Sequence, residues 1–131
     1  MDIKEISVLV IDDVNTMRIQ IKELLRGFGF PKVTTCSSGE EAKKLLESGT
    51  FHLVLSDWHM APVDGMELLQ WLRAHATLQE TAFIMVTAEN TKDRVLDAIL
   101  WGVDDYIVKP LTAGLIQTRV FGVLKKRKVM A

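Results

Sequence analysis

The sequence has few of the residues that stabilise secreted proteins or cross membranes. Cys36 is the only cysteine, which excludes an internal disulfide and a zinc cluster built from several cysteines. The longest apolar runs, such as residues 6–11, are far shorter than the roughly 20 residues that span a bilayer. Residues 1–5 lack the basic and apolar blocks of a signal peptide. These absences predict a cytoplasmic protein without a membrane partner.

A strong charge of either sign is also missing. The chain carries 16 basic and 17 acidic residues, so its net charge of -1 gives no bulk attraction to nucleic acid. The basic run at 125–128 falls at the end of a predicted helix, where it complements the helix dipole. No segment remains for a helix-turn-helix, and we expect no nucleic-acid partner. A chain of 131 residues suits one domain over 1–131 with no output domain.

Short apolar runs alternate with segments of helical period along the chain. Several of the runs are continuous hydrophobics, as expected of parallel strands covered on both faces. The predicted strands are 6–11, 32–36, 51–56, 82–86 and 105–108. The predicted helices are 16–28, a segment starting at 38, 65–75, 91–101 and 112–126. In the fourth helix the predicted core stripe is Val95, Ala98 and Ile99. This alternation predicts an α/β fold, a five-stranded parallel sheet with five helices on both faces.

Polar residues stand where four of the predicted strands end. Asp12 and Asp13 follow the first strand, Asp57 follows the third, Thr87 the fourth and Lys109 the fifth. Ligands of parallel sheets bind past the carboxyl ends of the strands, so these side chains should meet at one edge. Neighbouring carboxylates repel each other, and a cation relieves that repulsion. A few oxygen ligands, with room for water and a phosphate, predict a Mg²⁺ site.

A hydroxyl, an ammonium and a metal ion around one carboxylate are the parts that phosphoryl transfer needs. That reaction depends on positioning and charge neutralisation more than on covalent help from side chains. Thr87 and Lys109 would supply the neutralising groups, and Asp57 would be the nucleophile. Taken singly, Asp12 or Thr87 could merely cap a helix, and Lys109-Pro110 could be a turn with a cis peptide. Their coincidence at separate strand ends favours the chemistry.

The same residues carry a resemblance to a known family. The motifs are Asp12-Asp13, Asp57 followed by Gly65, Thr87-Ala88 and Lys109-Pro110. They resemble the acidic pair, phosphoacceptor, switch hydroxyl and Lys-Pro of bacterial response-regulator receiver domains. Within that family the chain is most similar to single-domain chemotaxis regulators, through Thr16-Met17-Arg18, Ser56-Asp57-Trp58, Val86-Thr87-Ala88-Glu89 and Tyr106-x-Val108-Lys109-Pro110. The resemblance implies a flavodoxin-like fold with strand order 2-1-3-4-5.

The resemblance also implies a role for each residue of the site. A sensor histidine kinase would donate a phosphoryl group to Asp57, and a small acyl phosphate is a further possible donor. Asp13, Asp57 and the backbone carbonyl of His59 would bind Mg²⁺, and Asp12 would act directly or through water. Thr87 and Lys109 would bind the phosphoryl oxygens, while Tyr106 would swing inward when Thr87 moves. The protein would then be a phosphoacceptor that catalyses only its own phosphorylation and dephosphorylation.

Two departures from the family pattern stand beside the acceptor. Ala61 precedes Pro62, where the family places proline directly after the methionine equivalent to Met60. His59 stands where the most similar relatives tend to carry asparagine. His59 and Glu89 should border the path of the hydrolytic water, and we expect this pair to set the lifetime of the phosphorylated form.

Output is expected to come from binding another protein, and the resemblance implies the flagellar motor switch. The resemblance places the contact face on the fourth helix, fifth strand and fifth helix of a monomer. Its residues are Lys92, Val95, Tyr106, Val108, Thr112, Ile116 and Arg119. One alternative is a phosphorelay shuttle or phosphate sink with no motor target. The other is a Mg²⁺-dependent phosphatase of the aspartyl-phosphate type, but such enzymes usually carry D-x-D, and no second acid stands two residues after Asp57.

Overall fold

A computed structural model describes all of residues 1–131. Five parallel strands form one sheet in the order β2-β1-β3-β4-β5, which confirms the predicted topology. The strands are β1 (Ser7–Ile11), β2 (Lys32–Cys36), β3 (Leu53–Ser56), β4 (Ala82–Thr87) and β5 (Asp105–Val108). The helices are α1 (Asn15–Phe28), α2 (Gly39–Ser48), α3 (Gly65–Ala74), α4 (Lys92–Leu100) and α5 (Ala113–Lys126). None of the helices combines the length and the apolar character that crossing a bilayer requires.

The core consists of two apolar clusters, one on each face of the sheet. Along β1, Val8 and Val10 belong to the cluster under α1 and α5, while Leu9 and Ile11 belong to the cluster under α2 and α3. Successive side chains of a strand point to opposite faces, so both faces of this central strand are buried. The continuous apolar runs of the sequence are therefore explained by a sheet that is covered on both sides.

The ends of the helices carry the local signals that the sequence contains. The hydroxyl of Ser38 accepts a hydrogen bond from the Glu41 amide, and the Asp64 carboxylate accepts one from the Glu67 amide. Both residues are N-caps, which satisfy an amide that has no partner within the helix. After α1, Gly29 adopts a left-handed conformation with φ of 111°. The sequence did not predict the short 3₁₀ helix over Ile3–Glu5.

Two predicted positions are wrong. Ile99 was expected in the core, but it is 56% exposed, and Ala98 is the only buried residue of α4. Ile116 was expected on the partner face, but it is fully buried in the core cluster. Ile116 lies one helical turn before the buried Val120 on the stripe of α5 that faces the sheet, so it cannot contact a partner.

Candidate functional site

The carboxyl edge of the sheet brings together side chains from four strand ends. Asp12 follows β1, Asp57 follows β3, Thr87 ends β4 and Lys109 follows β5. Asp12 is 1% exposed, Asp57 8% and Thr87 0%, whereas Asp13 is exposed. Buried carboxylates need charged or hydrogen-bonding partners, and the partners in this site come from the other strand ends.

Lys109 is the cation that pairs with both buried carboxylates. Its Nζ lies 2.9 Å from Asp12 Oδ2 and 2.9 Å from Asp57 Oδ2. Burial acts to lower the pKa of Lys109, but the hydrogen bonds and charges of the two carboxylates outweigh it, so the pKa is raised. The ammonium is therefore charged throughout the physiological range and neutralises part of the negative charge of the pocket.

Asp57 accepts hydrogen bonds on both carboxylate oxygens. Its Oδ1 accepts from the Trp58 amide at 2.6 Å and from the His59 amide at 3.4 Å. Burial acts to raise the pKa of Asp57, but hydrogen bonds from Lys109 and Thr87 outweigh it and hold the pKa below its ordinary value. The carboxylate is therefore ionised at neutral pH, which is the state that a nucleophile requires.

The three acidic residues at this edge fit a divalent cation. Carboxylate oxygens of Asp12, Asp13 and Asp57 all lie within 4.8 Å of one another. The donor set consists of oxygen atoms only, and Asp13 is open to solvent, so a bound ion could keep water ligands beside the carboxylates. This arrangement suits Mg²⁺ better than zinc, which prefers nitrogen and sulfur ligands.

Two glycines set the path of the loop after Asp57. A Cβ atom on Gly65 would overlap the backbone carbonyl oxygen of Asp57 and would lie 2.9 Å from the Trp58 Cα. A Cβ atom on Gly39 would lie 2.5 Å from the Val63 carbonyl oxygen. The loop can therefore close tightly against the starts of α2 and α3. The Ala61-Pro62 peptide bond within it and the Lys109-Pro110 bond after β5 are both cis.

The predicted switch residues form a chain of hydrogen bonds away from Asp57. The Thr87 hydroxyl, which helps to lower the pKa of the Asp57 carboxyl, accepts a hydrogen bond from the Glu89 amide at 3.2 Å. The Tyr106 hydroxyl donates to the Glu89 carbonyl oxygen at 2.7 Å. Burial, followed by the negative charges of Glu89 and Asp57, raises the pKa of Tyr106 to about 12. The phenol is therefore a neutral donor, and its hydrogen bond ties it to the backbone that follows Thr87.

His59 and Glu89 meet across the mouth of the pocket. His59 Nε2 lies 3.0 Å from Glu89 Oε2. The other carboxylate oxygen of Glu89 accepts from the Thr91 hydroxyl at 3.0 Å. Hydrogen bonds from Thr91 and then from His59 lower the pKa of Glu89. The structure brings this pair together beside Asp57, where the sequence led us to expect it.

The predicted partner face is exposed in part. Lys92, Thr112 and Val108 are exposed, while Val95 and Tyr106 are half-buried. Thr112 is also the N-cap of α5. Arg119 is half-buried as well, and its guanidinium lies 2.7 Å from Asp105 Oδ1. Without Ile116, the face combines basic and apolar groups from the start of α4, from β5 and from α5.

Sequence reasoning missed two residues that contact the site. The Arg94 guanidinium, in the first turn of α4, lies over the Trp58 ring at 5.2 Å from its centroid. Thr91 holds the Glu89 side chain. Neither residue stands at a strand end, which was the signal used for the others. The sequence does show that Arg94 is a basic residue in the first turn of the helix after Thr87, and this position could have indicated a contact with the site.

The family is defined by a comparison with known proteins. Residues 8–121 match the model of the response regulator receiver domain, and the chain belongs to that family. It is therefore a receiver domain of two-component signalling, of the CheY type.

Individual relatives agree with this family. The chain is 38% identical to the chemotaxis protein CheY of Pseudomonas aeruginosa, over 86% of this chain and 91% of that protein. It is 36% identical to chemotaxis protein CheY-3 of Vibrio cholerae, over 89% of this chain and 90% of that protein. Among solved structures, the response regulator protein TrrA of Thermotoga maritima in complex with Mg(2+)-BeF is 29% identical, with a TM-score of 0.81 over 91% of this chain and 99% of that chain.

Proposed function

We propose that Asp57 accepts a phosphoryl group from a sensor histidine kinase in a Mg²⁺-dependent reaction. The observation that carries this proposal is the ion pair between Lys109 and Asp57, at 2.9 Å, inside a pocket with two further carboxylates. A carboxylate oxygen of Asp57 would attack the phosphorus atom, the phosphorus–nitrogen bond of the phosphohistidine would break, and the imidazole would leave with a proton. The product is a mixed anhydride on Asp57.

Each neighbouring group has a part in that step. Bound Mg²⁺ would withdraw charge from the phosphoryl oxygens, and Asp12, Asp13, Asp57 and the His59 carbonyl would hold it. Lys109 would exchange its bond to the carboxylate for a bond to a phosphoryl oxygen, and the Thr87 hydroxyl would donate to another. In a separate dephosphorylation step, water would attack the phosphorus atom, the bond to the Asp57 oxygen would break, and inorganic phosphate would leave the restored carboxylate. The chain would then be a phosphoacceptor that catalyses only its own phosphorylation and dephosphorylation.

Phosphorylation would act on a partner protein through Thr87 and Tyr106. A ligand shifts a conformational equilibrium only by the difference between its contacts in the two states. The Thr87 hydroxyl would have such a difference, because it would donate to a phosphoryl oxygen that is present only after the reaction. Tyr106 would follow through its bond to Glu89 and change the face formed by α4, β5 and α5. We propose the flagellar motor switch as the partner, and the chemotaxis names of two relatives support a role of this kind. The site would work in the cytoplasm as a monomer.

The experiment combines mass spectrometry with the fluorescence of Trp58, which lies beside the acceptor. The protein is incubated with Mg²⁺ and a small acyl phosphate, or with beryllofluoride as a mimic of the phosphoryl group. We expect one labile phosphoryl group and a fluorescence change in the wild type, and neither in Asp57→Asn. The matched control Asp97→Asn removes an exposed carboxylate of α4 and should behave like the wild type. Wild-type phosphorylation of Asp57→Asn would refute the proposal.

The alternatives have outcomes of their own in this system. Steady release of phosphate from an external ester would favour the aspartyl-phosphate phosphatase. Transfer of the phosphoryl group onward to a second histidine protein, without phosphorylation-dependent binding to a motor-switch peptide, would favour the shuttle. No contact in the structure favours either over the switch.

A further inference from the structure

Two side-chain contacts join the loop after Asp57 to the segment that contains the β4–α4 loop and the first turn of α4. His59 reaches Glu89 at 3.0 Å, and the Arg94 guanidinium lies over the Trp58 ring at 5.2 Å. We propose that Arg94, stacked on Trp58, is a positioning residue that gives phosphorylated Asp57 a second route to α4, separate from the route through Thr87 and Tyr106. This inference rests on the proposed function, because it concerns the response to a phosphoryl group on Asp57.

The second route begins at one carboxylate oxygen of the phosphoacceptor, Asp57 Oδ1. The amides of Trp58 and His59 both donate to Asp57 Oδ1, at 2.6 and 3.4 Å. Conversion of the carboxylate to a mixed anhydride removes its negative charge, and charge-assisted hydrogen bonds are about twice as strong as neutral ones. These two amides therefore lose part of their hold on Asp57 when it is modified. They belong to the two residues whose side chains contact Arg94 of α4 and Glu89 of the loop before it.

At its other end, the route reaches α4, which makes few contacts with the rest of the protein and can therefore move when Asp57 is phosphorylated. Ala98 is the only buried residue of α4, whereas α3 buries five residues. The N-cap Thr91 makes no side-chain bond to the helix amides. Its hydroxyl donates to Glu89 Oε1 at 3.0 Å. The start of α4 is thus held by contacts with Glu89 and Trp58, and a small change in either contact can move the helix.

Replacement of Arg94 distinguishes the two routes, because Arg94 takes part only in the second. The first route uses the Thr87 hydroxyl, the Glu89 backbone and the Tyr106 hydroxyl. The second uses side chains, and Glu89 contributes to both because its carboxylate bonds to His59 and its carbonyl to Tyr106. Arg94 contacts Trp58 and has no bond in the first route. It is also exposed, so its replacement leaves the core intact.

The test measures amide hydrogen exchange of peptides covering residues 91–100, with Mg²⁺, before and after addition of beryllofluoride. Arg94→Ala should reduce the beryllofluoride-induced change in exchange by about two- to five-fold, the range that a cation–π contact at an exposed site supplies. Arg94→Lys, which keeps a cation over the ring, should restore most of the response. Tyr106→Phe should retain part of the response, and the double variant Tyr106→Phe/Arg94→Ala should lose it.

The opposite results are equally clear. A wild-type response in Arg94→Ala, or complete loss of the response in Tyr106→Phe alone, would overturn the second route. Fluorine NMR of bound beryllofluoride separates this failure from failure of the proposed function. If beryllofluoride does not bind the wild type, or binds Asp57→Asn equally well, both the proposed function and the inference that depends on it fail. If it binds at Asp57 and Arg94→Ala responds normally, the second route alone fails.

Discussion

The Lys109 ammonium and the Asp57 carboxylate form a 2.9 Å ion pair in which the side chains are 16% and 10% exposed. The same ammonium neutralises Asp12. Lys109→Ala would leave two buried carboxylates without a cation, and we expect the free energy of unfolding in metal-free buffer to fall by about 3 kcal/mol. Urea denaturation measures the loss. Lys44→Ala, at an exposed lysine, is the matched control and should change stability by less than about 0.5 kcal/mol.

Lys109 and Mg²⁺ also compete for the same carboxylates. Removal of the ammonium should therefore tighten Mg²⁺ binding, and added Mg²⁺ should restore part of the stability that Lys109→Ala loses. A titration followed by Trp58 fluorescence gives the affinity. Equal Mg²⁺ affinity in the wild type and in Lys109→Ala would show that the ion does not bind at these carboxylates.

Gly65 has no space for a side chain. Its Cβ would overlap the Asp57 carbonyl oxygen, so Gly65→Ala must displace the acceptor loop. We expect a loss of about 1–3 kcal/mol in the free energy of unfolding, as for other overpacked sites, together with weaker beryllofluoride binding. The control is Gly122→Ala in α5, where a Cβ meets nothing within 4 Å. It should stabilise the helix by about 0.5–1 kcal/mol. Wild-type beryllofluoride affinity in Gly65→Ala would contradict the close approach.

The sequence predicted the sheet because most of its strands are apolar runs between polar turns. It predicted Asp57 and Lys109 as site residues because parallel topology gathers strand ends at one edge. The sequence predicted less accurately which residues of each helix are buried. Periodicity marks an apolar stripe but does not say how much of it a short helix buries, so Ile99 was assigned to the core and is exposed. Ile116 fitted both the stripe and the partner face, and packing against the sheet selects the stripe.

Contacts between residues far apart in the sequence could not be predicted. Asp104 accepts from Arg73 at 3.1 Å and from Arg127 at 2.8 Å. It also accepts from the Phe83 amide at 2.8 Å, and these bonds tie α3 and α5 to β4. Nothing in the spacing of these four residues indicates that they meet. The Arg94 contact with Trp58 was missed for the same reason, since it depends on how α4 lies against the acceptor loop.

His52 should make the stability of the protein depend on pH. Its Nδ1 accepts a 2.9 Å hydrogen bond from the Ser7 amide, so the neutral ring is the one that fits the fold. Burial, followed by the positive charge of Lys32, lowers the pKa of His52 below its ordinary value. The stabilisation is complete above the unfolded pKa of about 6.5 and is lost as the pH falls through the lower folded value, because the unfolded chain binds the proton first.

The measurement for His52 is the free energy of unfolding between neutral pH and pH 5. We expect it to fall in the wild type as the pH falls. His52→Asn can still accept from Ser7 through its amide oxygen but does not titrate, so its stability should fall less over the same range. An identical decrease in both proteins would assign the pH dependence to other groups.

The His59–Glu89 hydrogen bond spans the mouth of the pocket beside the acceptor and should slow hydrolysis of the phosphorylated form. Asparagine at position 59 is too short to keep this contact, so water would reach the phosphorus atom more easily. We expect His59→Asn to lose phosphate about two- to tenfold faster, which corresponds to one hydrogen bond. Release of labelled phosphate from the purified phosphoprotein gives the rate. Glu89→Ala should have a similar effect, and the double variant should be no faster than either single variant, because both remove the same contact. An unchanged rate in His59→Asn would mean that the hydrolytic water does not pass this pair.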